Sequence, residues 1–152
     1  MNELVAALGR VPSGLYILTT VHRGRRLGMV ASWVMQADFS PLLTIALQKE
    51  RPIGAALDAG AECVLNILPT GAKKLLIRFG NDDDGSDPFA GLPMVDSNGP
   101  PILAEAHAYL RGRQRAVIEA DDHRVHLIAV ESGRILHPGD PMVHVRRSGM
   151  SY

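Results

Sequence analysis

One cysteine, one tryptophan and no surplus of either charge set the first limits on this chain of 152 residues. Cys63 has no partner for an internal disulfide, so a reducing compartment is expected. No His or Lys flanks it, and it sits in an apolar run, so it reads as a small buried hydrophobe. Lys and Arg total 16 against 16 Asp and Glu, which leaves no broad basic field for nucleic acid or an anionic membrane. No run approaches the ~18 apolar residues of a spanning helix. The opening MNELVAALGRVPSG carries an early acid and too short an apolar stretch for a secretory leader. A cytoplasmic, soluble protein with one domain over 1–152 is expected; 46% hydrophobic and 21% charged residues fit that class.

Motifs are missing too. There is no G-x-x-x-x-G-K-[ST] and no G-x-G-x-x-G after the first strand, which removes the phosphate loop and the dinucleotide fingerprint. No G-x-S-x-G elbow is present. The acidic run from Asn81 to Gly85 fails as a calcium loop, because aligning Gly85 with the loop glycine puts Gly80 and Gly91 at ligand positions. His123 and His126 lie three apart, which on a strand points them to opposite faces, and no Cys pair accompanies them; no metal site is expected.

What remains is strand-rich. A short helix is predicted over residues 4–8, stopped by Gly9. Strands are predicted over 14–22, 27–36, 42–48 and 62–68, with the basic Arg23-Gly24-Arg25-Arg26 as a solvated hairpin tip. Pro52 opens a helix whose buried stripe is Ile53, Ala56 and Leu57, and Gly60 ends it. A further helix is capped by Thr70, closed by Gly80 and faces Leu75, Leu76 and Phe79 inward. Residues 80–101 are rich in Asp, Gly and Pro and form a connection or a surface lid. Strands over 105–111, 114–120, 125–131, 133–136 and 142–147 complete a closed or sandwiched antiparallel sheet.

Within the strand over 27–36, both alternating faces are apolar, yet Ser32 and the sole tryptophan, Trp33, stand at its centre. A buried hydroxyl left unpaired costs about 1–3 kcal/mol, so Ser32 meets either a neighbouring carbonyl or a ligand. Lys49 and Arg51 arrive just before the Pro52 helix, a plausible anion or phosphate site. His123 follows Asp121-Asp122 at a sheet mouth, as an exposed turn histidine or one that faces a ligand.

These residues resemble the flavin reductase-like, FMN-binding split-barrel family. The carriers are Ala31-Ser32-Trp33-Val34 with Gln36, Phe39 and Pro41, then Asn66-Ile67-Leu68 and Asp87-Pro88-Phe89-Ala90-Gly91. Gly99-Pro100-Pro101-Ile102-Leu103, Asp122-His123 and the stretch from Arg147 to Tyr152 follow in order. The similarity is nearest in flavour to the reductase module of cyanobacterial-type flavodiiron proteins and runs from about residue 8 to 152. It implies a mainly β fold, a six-stranded antiparallel split barrel that dimerises, with FMN near the subunit interface. It lays the backbone of Val30, Ala31, Ser32, Trp33 and Val34 along the flavin ring, with Trp33, Val34 and Asn66 in near-ring or supporting positions and Ser32 as a phosphate or ribityl contact. Gln48, Lys49 and Arg51 fall at the phosphate and ribityl chain, His123 on the nicotinamide side as the catalytic candidate, and Tyr152 at the pocket's closure. The implied activity is hydride transfer from NAD(P)H to FMN, with electrons passing to free flavin, a ferric complex or an acceptor protein. The alternatives are an FMN-binding electron-transfer or sensor module without nicotinamide chemistry, and a flavin-free relative of the barrel. Flavin performs the hydride chemistry itself, which suits a chain with no catalytic triad.

Overall fold

The computed structural model describes residues 2–80, 85–95 and 98–152. Helix α1 (Glu3–Leu8) starts at Asn2, whose side chain accepts from the Leu4 N–H at 2.9 Å. Strands β1 (Ser13–Gly14), β2 (Tyr16–His22) and β3 (Arg25–Ala31) follow. The β2–β3 hairpin turns on Arg23 and Gly24, both at positive φ (51° and 75°), the two-residue turn whose twist matches its flanking strands. Then come β4 (Val34–Asp38), β5 (Leu42–Gln48), α2 (Pro52–Asp58), β6 (Cys63–Ile67), α3 (Lys73–Gly80), β7 (Ala108–Glu119), β8 (His123–Ile135) and β9 (Val143–His144). Helix α2 begins at Pro52, buries Ile53, Ala56 and Leu57, and is followed by Gly60 at φ 83°, as its sequence predicts.

The main sheet is antiparallel and seven-stranded, in the order β3-β2-β6-β7-β8-β5-β4; β1 and β9 pair separately. The mainly β, antiparallel character is as expected, but the sheet has seven strands where a six-stranded split barrel was implied. The predicted strand over 27–36 breaks at Ser32 and Trp33 into β3 and β4, which are consecutive in the chain yet lie at opposite edges of the sheet. Three peptide steps from Ala31 to Val34 span at most about 11 Å, so the two edges meet at that corner. The sheet is rolled, with its hydrogen-bonded ladder left open between β3 and β4. That strand is also less buried than its composition suggests: Met35, Gln36, Ala37 and Asp38 are exposed.

A second correction concerns the later strands. The four segments predicted from 105 to 136 merge into the long β7 and β8, with register shifts at Arg111/Gly112 and Gln114/Ala116. Gly112 sits at the first of these shifts, Gly133 is a regular partner of Leu110, and neither is a turn. A Cβ on Gly112 would stand 2.1 Å from the Ala129 carbonyl oxygen, and one on Gly133 2.8 Å from that of Tyr109.

Rolling the sheet divides the core. Leu18, Ile45, Leu47, Leu65 and Ile128 fill the interior with Ile53 and Leu57 of α2. Ile17, on the opposite face of β2, packs with Leu75, Phe79, Phe89 and Leu103. Both faces of β2 are therefore buried, because α3 and the segment after it cover the outside. Asn66 pins that cover: its amide donates to the Ile17 carbonyl at 3.1 Å, and its oxygen accepts the Leu103 N–H at 2.8 Å. The Thr19 hydroxyl donates to the Pro101 carbonyl at 2.6 Å. Cys63 is buried, and burial pushes its thiol up to about 12, the inert behaviour its surroundings predict. Asp82, Asp83 and Asp84 of the acidic run lie outside the described residues; Asp87 pairs with Arg26 at 2.9 Å. Among the described residues, no helix is long and apolar enough to cross a membrane.

Candidate functional site

The strand break that interrupts the sheet also builds a cavity. Val30, Ala31 and Ser32 form one wall, Ala46, Leu47 and Gln48 at the end of β5 form another, and Arg51 and Tyr152 border it; its volume is about 280 Å³. Small residues at Ala31 and Ala46 keep the slot open, and Leu15 and Leu76 give it apolar flanks. Ser32 is only 6% exposed. Its hydroxyl has no hydrogen-bond partner among the described residues, so the carbonyl reading is set aside and the oxygen is left for whatever fills the slot. Gln48 and Arg51 reach the cavity because β5 delivers the chain to the start of α2, where Arg51 is the residue before Pro52. The turn between β4 and β5 sends the chain back along β5, whose end borders the slot.

Beside the slot stands an aromatic group. Trp33 lies 4.7 Å from the His123 ring and 5.1 Å from that of Tyr152, centre to centre. The Arg146 guanidinium lies 5.0 Å from the centre of the Trp33 ring, and its N–H groups donate to the carbonyls of Leu8 and Ser151 at 3.4 Å each. His123 bridges Asp122, through Nδ1 at 2.7 Å, and the Tyr152 hydroxyl, through Nε2. Burial holds the Tyr152 phenol above its ordinary value, so it keeps its proton and donates to Nε2. The His123 Nδ1–H then donates a hydrogen bond to the Asp122 carboxylate. That hydrogen bond is the main reason Asp122 titrates below the usual carboxylate range.

The structure therefore gathers Val30, Ala31, Ser32, Gln48, Arg51 and Tyr152 at one slot, with Trp33 and His123 joined to it through Tyr152. Lys49, Val34 and Asn66 stand elsewhere. The Lys49 ammonium pairs with Glu119 at 3.6 Å. Val34 borders an apolar groove with Tyr16, Met35 and Leu43. Asn66 is fully buried in the hydrogen bonds described above. Arg146 and His144 come to the site without having been singled out in the sequence, since nothing local marks a residue whose partners lie a hundred positions away. Arg25, Arg26 and Arg78 are a different case. The hairpin cations were taken for a solvated tip, yet with Arg51 they line a cleft adjoining the slot.

No cluster of three or more His, Cys, Asp or Glu suited to a metal ion occurs among the described residues. The donor set is instead an apolar slot, an unpaired hydroxyl, a guanidinium and bordering aromatic rings. That set fits a flat, polar-edged ring system with an anionic tail.

Residues 8–151 match the family described as a flavin reductase like domain. The chain is 37% identical over 156 residues to diflavin flavoprotein A 1 of a Synechocystis species, covering 99% of this chain and 27% of that protein. It is 39% identical over 154 residues to a putative diflavin flavoprotein A 2 of a Nostoc species, covering 96% and 26%. The chain thus spans about a quarter of the length of the curated relatives it matches. Among solved structures, a homologue of nitrilotriacetate monooxygenase component B from Mycobacterium thermoresistibile superposes with a TM-score of 0.83 at 25% identity, covering 93% of this chain and 80% of that one. An NADH:FAD oxidoreductase of Streptomyces globisporus shares the fold at a TM-score of 0.82 and 23% identity, covering 92% and 86%.

Proposed function

Because the chain belongs to the flavin reductase-like domain family, we propose that it is a flavin oxidoreductase module that binds FMN in the slot and takes hydride from NAD(P)H. The observation that carries this reading is Ser32: a hydroxyl unpaired within the described protein, on a residue only 6% exposed, in the wall of an apolar slot that Arg51 borders. When bound, the flavin supplies the redox chemistry, accepting hydride and passing electrons onward. The protein's tasks are binding, orientation and exclusion of water. The extended backbone through Val30, Ala31 and Ser32 offers its polar groups to the ring edge, and Arg51 with Gln48 receives the phosphate. Tyr152, held by His123 and packed at a tilt against Trp33, borders the slot. His123 keeps a proton at Nδ1, fixed by Asp122, so its ring orientation is set before any nicotinamide arrives.

The electrons pass to free flavin, a ferric complex or an acceptor protein. A second copy of the chain is the partner we assign to the apolar groove beside β4, where Met35 is 67% exposed. Titrating FMN into the protein tests the site. Arg51→Ala should weaken binding by about 1.5–3 kcal/mol, the worth of a hydrogen bond to a charged group. Unchanged affinity would remove Arg51 from the phosphate.

A further inference from the structure

His126 is fully buried, and the slot does not use it. It stands on β8 opposite Ile45 of β5 and Val117 of β7, beneath the first turn of α2. Gln114 sets its tautomer. The Gln114 amide donates to the Asp58 carboxylate at 2.9 Å, which turns the amide oxygen toward His126 Nδ1 at 2.5 Å. Nδ1 therefore carries the proton and donates, and Nε2 keeps a bare lone pair. That Nε2 is buried and has no hydrogen-bond partner among the described residues. The ring edge that carries it lies against Gly54, where a Cβ would stand 3.8 Å from Cε1 and 3.9 Å from Nε2. Gly54 in turn donates its N–H to the Arg51 carbonyl at 3.0 Å, so the turn over His126 is the one that presents Arg51.

The charged groups around His126 are Arg124 of its own strand, Asp58 of α2 and Glu119 of β7, while β5 brings the apolar Ile45. Arg124 already engages both carboxylates, Asp58 at 2.6 Å and Glu119 at 2.7 Å, and its Nη1 comes within 3.9 Å of the same Cβ position on Gly54. Lys49 also pairs with Glu119, at 3.6 Å. A proton on Nε2 would set a second cation beside Arg124 and press an N–H without an acceptor against Gly54. Moving the first turn of α2 outward relieves both, because water then reaches the ring. We propose that His126 is a positioning residue for the phosphate end of the slot: the neutral ring seats the turn that aims Arg51, and a proton on Nε2 displaces it. The role rests on the flavin reading of the slot, in which Arg51 receives the phosphate. Burial holds His126 below 6.5 while the turn is seated, so acid favours the displaced turn. By reciprocity, FMN at Arg51 fixes the turn and lowers that value further.

The test titrates FMN into the unaltered protein and into His126→Gln at pH 7.5 and 5.5, and follows the His126 ring by nuclear magnetic resonance across the same range with and without FMN. A phosphate monoester takes up its own proton at about pH 6 in both experiments, so the quantity read is the Kd ratio between the two pH values, one protein against the other. That ratio is expected to be about threefold larger in the unaltered protein; one proton of ordinary value supplies at most about tenfold at pH 5.5. His126 is expected to titrate lower with FMN bound. A histidine that only sensed the phosphate's charge would titrate higher and would tighten FMN in acid, so a shift of that sign overturns the role. So do equal Kd ratios in the two proteins, or a titration that FMN leaves in place. The resonance arm needs no variant, and it decides the case should His126→Gln fail to fold. FMN that binds with equal ratios removes the role and keeps the flavin reading; FMN that does not bind the unaltered protein at pH 7.5 removes both.

Discussion

The Arg146 guanidinium stands 5.0 Å from the centre of the Trp33 ring, whose neighbours are His123 and Tyr152. Through the carbonyls of Leu8 and Ser151 the same group ties the end of α1 to the tail that carries Tyr152. One side chain thus joins the strand break, the first helix and the residue that borders the slot.

Arg146→Leu should free that tail. Trp33 is the sole tryptophan, so its emission reports the change directly. The expected result is shifted emission and a loss of about 1–2 kcal/mol in FMN affinity, the scale of a desolvated cation–π contact, with the far-ultraviolet spectrum kept. Arg146→Lys should restore part of the loss, because it keeps the charge and gives up the planar fork. Unaltered emission and affinity in Arg146→Leu would mean that the stack does not position Tyr152.

Asn66→Ala should destabilise the protein by roughly 2–4 kcal/mol, since it leaves the buried Leu103 N–H and the Ile17 carbonyl with reduced pairing. Urea unfolding measures the cost. Hydrogen exchange should place the loss of protection around Leu103, and uniform protection with an unchanged midpoint would refute the pin.

His126 is fully buried, with Nδ1 2.5 Å from the Gln114 side-chain oxygen, and burial holds its pKa below 6.5. The unfolded chain therefore takes up a proton near pH 6.5 that the native state refuses. Stability is full above that value and falls as pH drops below it. Asp58, hydrogen-bonded by Arg124 and Gln114, titrates below 3.8, so its contribution is present above that pH and is lost on further acidification. Urea midpoints from pH 8 to 5 should decline in the unaltered protein and stay flatter in His126→Gln. Equal slopes would contradict the assignment.

Much of this architecture was legible wherever a local rule governs it. Pro52 and Gly60 bracket α2. Residues 42–48 form β5 as their alternation predicts, and the basic hairpin turns where Gly24 allows it. What escaped the sequence depends on pairing at a distance. The gaps predicted at 112–113 and 132 are closed within β7 and β8, and only the facing strands show the register shift beside Gly112 and the close approach of the Ala129 carbonyl to it. The same holds for the site. Val30, Ala31, Ser32 and Arg51, singled out from their short stretches, line the slot, whereas Asn66 is a buried pin away from it and Lys49 is turned to Glu119. Arg78 joins Arg25 only because α3 packs against β3, a relationship with no periodic signature.

The central claim is that the slot holds a flavin which a reduced nicotinamide can reach. Anaerobic mixing of the FMN-loaded protein with saturating NADH, and separately with NADPH, tests it most directly. The account predicts loss of the flavin's visible absorbance with at least one nucleotide, at a rate lowered in His123→Ala while FMN stays bound. A flavin that stays oxidised with both nucleotides would contradict it.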